Sequence, residues 1–128
     1  MAIFGIGTDI VEVKRIGQSL QRSDALARRV LTAVELEQFA EAAQPAAFLA
    51  KRFAAKEACA KAFGTGIGQQ LSFQDITITH DPLGRPLFEW SAAAKNLAHE
   101  FGITASHISI SDEREYALAY VILETAGD

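Results

Sequence analysis

Residues 46–63 carry a helix pattern whose charges lie on the side where a surface helix would place its core. At helical spacing, Leu49, Phe53, Lys56, Ala60 and Phe63 fall in one stripe, stepped by four and three residues. Arg52 and Cys59 flank that stripe on one side, Glu57 and Lys61 on the other. The opposite face is Lys51, Ala54, Ala55, Ala58 and Ala62, nearly all methyl groups, which suits close packing on another element. Both faces therefore read as occupied. A lone ammonium or carboxylate is costly to bury unless it is paired or solvated. The pattern predicts a helix packed on its alanine face, with Arg52, Lys56, Glu57 and Lys61 lining the edge of a cleft. The plainer alternative is an exposed helix. In that case Glu57 and Lys61 are an i,i+4 pair contributing about 0.3–0.5 kcal/mol, and Lys56 reaches past Phe53 to water.

Pro45 opens this helix and Gly64 closes it. The "GTGIG" that follows has the glycine content of a phosphate loop but sits at the wrong end. Such a loop precedes a helix, where N–H groups and the positive dipole end face the anion. Gly64 is read as a C-cap, and Gly66 and Gly68 as turn residues.

Around this helix, "AIFGIGTDIVE" (2–12) is rich in β-branched and apolar residues and reads as a buried strand with close backbone approaches at its glycines. Residues 13–20 read as a short helix. "SDALARRVL" and "TAVELEQFAEAA" read as helices started at Ser23 and Thr32, the second with acids in its first turn. The second half changes period. "LSFQDITITH" alternates as a strand, "DPLG" turns, and "RPLFEW" completes a hairpin. "SAAAKNLAHEFG" is a capped helix with a glycine stop, and "ASHISIS" and "YALAYVILE" are strands around "DERE". The order β-α-α-α-β-β-α-β-β predicts an α+β fold, a mostly antiparallel sheet with one long helix packed on it. The 128 residues suit a single domain, 1–128.

Net charge is −4, which argues against nonspecific nucleic-acid binding as the main role. Cys59 is the sole cysteine, so no intrachain disulfide and no cysteine zinc site of the usual spacing can form. The N-terminal stretch carries Asp9 and Glu12 and no long apolar run, so it reads as neither signal peptide nor membrane span. A reducing cytoplasm is the expectation.

Asp9 ends the first strand and is either a cap for the following turn or a metal ligand. Two carboxylates with waters and phosphate oxygens commonly hold magnesium, and Asp9 with Glu57 meets that need if the helix packs on strand 1. Spacing cannot show that they meet. In "SHISIS", alternation puts His107, Ser109 and Ser111 on one face, as surface residues or as a site. His80 and His99 receive no role. No serine–histidine–acid arrangement is readable, and Cys59, among alanines, reads as packing rather than a nucleophile. Lys14, Arg15, Arg22, Arg28 and Arg29 place five of the 12 basic residues in a 16-residue window whose one acid is Asp24. That is either a solvated helix face or a dock for an acidic partner.

"FGIGTDIVEVKRI" and "RFAAKEACAKAFGTGIG" together resemble the holo-acyl-carrier-protein synthases, the small 4′-phosphopantetheinyl transferases. The likeness continues through "RRVLTAVEL", "LSFQDITI", "GRP" and "HISISDEREYALAYVILE", nearly the whole chain in order. It implies the α+β transferase fold and a magnesium-dependent transfer of the phosphopantetheine arm of coenzyme A to a serine of apo acyl carrier protein. The expected product is adenosine 3′,5′-bisphosphate, and the process served is fatty acid biosynthesis. It also implies a homotrimer with active sites between subunits. By position, Asp9 and Glu57 look like metal ligands, Lys61 like the group beside the pyrophosphate, and Arg52 and His107 like coenzyme A contacts. Arg15, Arg22 and Arg29 fall where the family meets the carrier protein. Glu57 is one candidate base for the serine. The acidic turn "DERE" departs from many members, and the resemblance assigns it no role. The competing readings are a magnesium-dependent nucleotide pyrophosphohydrolase and a non-enzymatic binding module for acidic partners. Lys56 has no task that these residues assign.

Overall fold

β1 (Ala2–Glu12) pairs antiparallel along its length with β5 (Tyr116–Thr125), and β5 pairs antiparallel with β4 (Ile103–Asp112), giving a three-stranded sheet in the order β1-β5-β4. The computed structural model describes residues 1–127. Between β1 and β4 the chain forms α1 (Val13–Arg22), α2 (Ala25–Val30), α3 (Ala33–Ala40), α4 (Pro45–Phe63), β2 (Ile76–His80), β3 (Pro86–Trp90) and α5 (Ala92–Glu100). β2 and β3 form a separate antiparallel hairpin, so the expected sheet is two sheets, one of three strands and one of two.

α4 lies along the inner face of the larger sheet because both surfaces are trimmed to the backbone. Its Ala54, Ala55, Ala58 and Ala62 are buried, as are Ala117 and Ala119 of β5. On β1 the residues facing it are glycines. A Cβ at Gly5 would collide with the carbonyl oxygen of Ala62, and one at Gly7 with that of Ala58. The alanine face therefore packs as its composition predicts, strand on helix with no side chain between them. Pro45 opens α4 and Gly64 closes it at φ 86°, a left-handed conformation, with its N–H donating to the carbonyls of Ala60 and Lys61. The glycine loop is a helix terminus and turn.

The opposite side of α4 departs from expectation. Arg52 and Lys56 do not line a cleft: Lys56 is fully buried and Arg52 is 6% exposed. Both point at Glu35 of α3, itself fully buried. Lys56 Nζ donates to Glu35 Oε1 at 2.6 Å, to the Val30 carbonyl at 2.7 Å and to the Phe73 carbonyl at 3.2 Å. Glu35 also accepts from the Thr32 amide at 3.0 Å, in a capping box that starts α3, and from the Ile78 amide of β2 at 2.9 Å. Burial lowers the proton affinity of Lys56 and the adjacent Glu35 charge opposes it. Arg52 lies with its guanidinium 4.4 Å from the centre of the Phe48 ring and its Nε 3.5 Å from Glu35 Oε2.

One strand is shorter than the alternation in "LSFQDITITH" predicts. Only Ile76–His80 is extended, because Ser72 and Asp75 close a reciprocal cap around a 3-10 turn, Phe73–Asp75. Local side-chain hydrogen bonds won there over the period-2 pattern.

The zero-clearance contact of β1 on α4 gives a direct test. Gly7→Ala should destabilise the fold by roughly 3 kcal/mol, since the added methyl meets backbone that cannot rotate away. Chemical denaturation measures it; a loss under 1 kcal/mol would mean that the strand stands off the helix.

Candidate functional site

Because β1 lies on α4, the acid near the end of the strand meets the charges in the last turns of the helix. Lys61 Nζ sits 3.1 Å from Asp9 Oδ1 and also donates to the Thr8 carbonyl at 3.0 Å. Glu57, one turn earlier on α4, faces the same place. Burial, and after it the Asp9 charge, hold the Glu57 carboxyl above its ordinary range, while Lys61 and Arg29 pull the other way without cancelling this. Asp9, Glu57 and Lys61 thus come together from two elements 48 or more positions apart in sequence. The Asp9 side chain is 17% exposed and that of Lys61 51%, so the cluster opens to solvent on one side.

The donor set suits a hard divalent cation. It offers carboxylate oxygen, two like charges in mutual repulsion and one ammonium beside Asp9. Among the described residues no third histidine, cysteine or acid joins a metal-holding group. Magnesium commonly takes one or two carboxylates and completes its shell with water and substrate phosphates, so Asp9 and Glu57 fit it.

From Asp9 a groove of about 480 Å³ runs between β1, α1 and α2, lined among others by Arg15, Arg22, Arg29 and Phe53. Arg15, Arg22 and Arg29 are all exposed. Arg29 also rests with its guanidinium carbon 5.5 Å from the centre of the Phe73 ring. Three of the five basic residues of that window thus line a groove that reaches Asp9, while Lys14 is exposed outside it and Arg28 pairs with Asp24.

Two expected residues lie elsewhere. Arg52 belongs to the buried Glu35 cluster. His107 is exposed on β4, with Nε2 2.6 Å from Glu124 Oε1 of β5. In the strand order β1-β5-β4 it stands two strands from Asp9, roughly 10 Å sideways. Alternation along β4 is as read: His107, Ser109 and Ser111 face out, while Ile108 and Ile110 pack on the core. Cys59 is buried, and burial pushes its thiol up to about 12, which leaves it unreactive at neutral pH. Sequence reading missed Glu35. The signal was present, since a lysine on an apolar stripe demands a buried acid, and the capping box Thr32-x-x-Glu35 marked where one stood.

A carboxyl held above the ordinary glutamate range favours its protonated form in the folded chain. That contribution is complete below the unfolded value and is lost as pH rises through the raised one. Metal-free Glu57→Gln should melt together with the parent chain near pH 4 and roughly 1–2 °C above it at pH 7. Thermal unfolding in chelator reads this directly. A lower Tm for the variant at pH 7 would show that burial and Asp9 together do not disfavour the Glu57 charge.

The chain matches the 4′-phosphopantetheinyl transferase superfamily over residues 5–121. It is 56% identical to the holo-[acyl-carrier-protein] synthase of Idiomarina loihiensis over 125 residues, 98% of this chain and 99% of the relative. The crystal structure of holo-[acyl-carrier-protein] synthase from Neisseria meningitidis superimposes with a TM-score of 0.92 at 48% identity, covering 96% of this chain and 99% of that one. The Helicobacter pylori holo-[acyl-carrier-protein] synthase, solved in complex with coenzyme A, superimposes with a TM-score of 0.81 at 35% identity, covering 93% and 99%.

Proposed function

This chain belongs to the holo-[acyl-carrier-protein] synthases, enzymes of the 4′-phosphopantetheinyl transferase superfamily, and on that premise we propose how its site carries out the reaction. Residues 1–128 act as one catalytic domain that moves the phosphopantetheine arm of coenzyme A to a serine of apo acyl carrier protein. The observation that carries this reading is the convergence of Asp9, Glu57 and Lys61 at the end of an arginine-lined groove.

The serine oxygen forms a bond to the β-phosphorus of the coenzyme pyrophosphate as the bond to the bridging oxygen breaks. Adenosine 3′,5′-bisphosphate leaves with that oxygen and its electron pair. Asp9 and Glu57 would hold Mg2+, which when bound neutralises charge on the pyrophosphate oxygens. Lys61, anchored by Asp9 and the Thr8 carbonyl, keeps its ammonium beside the leaving phosphate. The serine must lose a proton. Asp9 is already held by Lys61, which leaves Glu57 to accept it, directly or through water.

Arg15, Arg22 and Arg29 receive the acidic carrier protein, on a chain whose net charge of −4 would otherwise repel it. Arg52, expected at the coenzyme, is assigned instead to holding Glu35 and Phe48. His107 takes its coenzyme role across an interface. The outer face of the three-stranded sheet bears Ile6, Ile10, Leu118 and Tyr120, from 37% to 61% exposed, in the same rows as His107, Ser109 and Ser111. A second copy covering that apolar face would bring His107 to a neighbouring groove, which favours the homotrimer with active sites between subunits. Among the described residues no helix is long and apolar enough to cross a membrane. The proposed setting is the cytoplasm, in service of fatty acid biosynthesis.

With coenzyme A, Mg2+ and apo carrier protein, the carrier should gain the mass of one phosphopantetheine arm. Asp9→Ala and Glu57→Ala should slow this by about 10²-fold or more while leaving the fold intact. Cleavage of coenzyme A without that mass gain would instead identify a pyrophosphohydrolase. Light scattering should return three times the 13.8 kDa chain mass, and a monomer would overturn the shared site.

A further inference from the structure

We propose that Lys56 is a positioning residue for Arg29, tying the carrier-protein groove to the catalytic helix; this rests on the docking role given to Arg29 above. Lys56 touches neither substrate in that reading and lies on the opposite side of α4 from β1. Its ammonium has three protons, and each has a partner: the Glu35 carboxylate, the Val30 carbonyl and the Phe73 carbonyl. Two of those partners frame Arg29. Val30 is the next residue along the chain, at the end of α2. Phe73 supplies the ring on which the Arg29 guanidinium rests.

Lys56 thus holds both the backbone from which Arg29 projects and the backbone of the ring that orients it. Gln74 reinforces the same junction, its side-chain amide donating to the carbonyls of Arg28, Arg29 and Leu31. α2 itself is six residues long, too short to hold its own orientation. Arg29 lines the groove together with Asp9, so a small rotation of α2 would move it away from both carrier and carboxylates.

Stability alone is a poor reason for this arrangement. Replacing a buried ion pair by apolar groups of similar volume is often neutral or stabilising, so the value of this pair lies in where it places its neighbours. Arginine would not substitute, because its planar fork cannot point at three oxygens arranged around a tetrahedral ammonium.

The test is the paired variant Glu35→Gln with Lys56→Met in the full-length enzyme, which removes the Lys56–Glu35 pair while Arg52 keeps the Phe48 ring and an amide oxygen in place of the carboxylate. KM for apo carrier protein should rise roughly fivefold while KM for coenzyme A stays within about twofold. Added to Arg29→Ala, the pair should cause no further rise; added to Arg15→Ala, the effects should multiply. Lys56→Arg, which keeps the charge opposite Glu35 and so protects folding, should show the same split between the two substrates. Unchanged KM for carrier protein in either folded variant, or effects that multiply with Arg29→Ala, would overturn the proposal. If Arg29→Ala itself leaves KM for carrier protein unchanged, the docking reading fails first, and this inference with it.

Discussion

Two glycines allow β1 to lie on the backbone of α4, and the position of every candidate catalytic group follows from that contact. With Gly5 and Gly7 against Ala58 and Ala62, strand and helix approach with no side chain between them. Asp9, two residues beyond Gly7, then reaches Lys61 at 3.1 Å. A larger residue at either glycine would push the strand outward and separate the carboxylates that share the site. The site is therefore as rigid as the packing behind it, which suits a reaction whose catalysis rests mainly on positioning and charge.

The far side of the same helix is held by a different force. Lys56 and Arg52 converge on Glu35, and the carboxylate is further bonded by the Thr32 and Ile78 amides. One buried acid thereby joins α3, α4 and β2, while Lys56 adds the end of α2 and the turn at Phe73. Breaking one partner would strand an uncompensated charge, so these elements hold together or loosen together. α4 is clamped by van der Waals contact on one face and by polar contacts on the other, and its Glu57 and Lys61 emerge between the two.

Much of the fold was legible because its elements are marked locally. Pro45 and Gly64 delimit α4, Thr32 starts α3, Ser91 caps α5, and alternation sorts His107 from Ile108. One exception, Leu71 to Asp75, is also local: the Ser72–Asp75 cap outweighs alternation, and both patterns are present in the same few residues. Another is α2, read as started at Ser23, whose N-cap is Asp24. The alanine face of α4 was correctly read as packed, since small residues on one stripe have few other uses. The charged stripe is legible in only half of its members. Glu57 and Lys61 do meet solvent and Asp9, but Arg52 and Lys56 turn inward.

That division has one physical cause. Helix spacing states which residues share a direction, and family likeness names candidates for chemistry; the structure brings Asp9, Glu57 and Lys61 together and puts Arg52 and His107 elsewhere. Whether a cation on that helix faces water or a buried acid depends on a residue 21 positions away, Glu35, being brought to it by α3. Whether Arg15, Arg22 and Arg29 make a groove or a loose surface depends on how α1 and α2 pack beside β1. Burial and charge pairing are properties of the assembled chain, because the cost of burying a charge is set by neighbours that only the tertiary structure supplies.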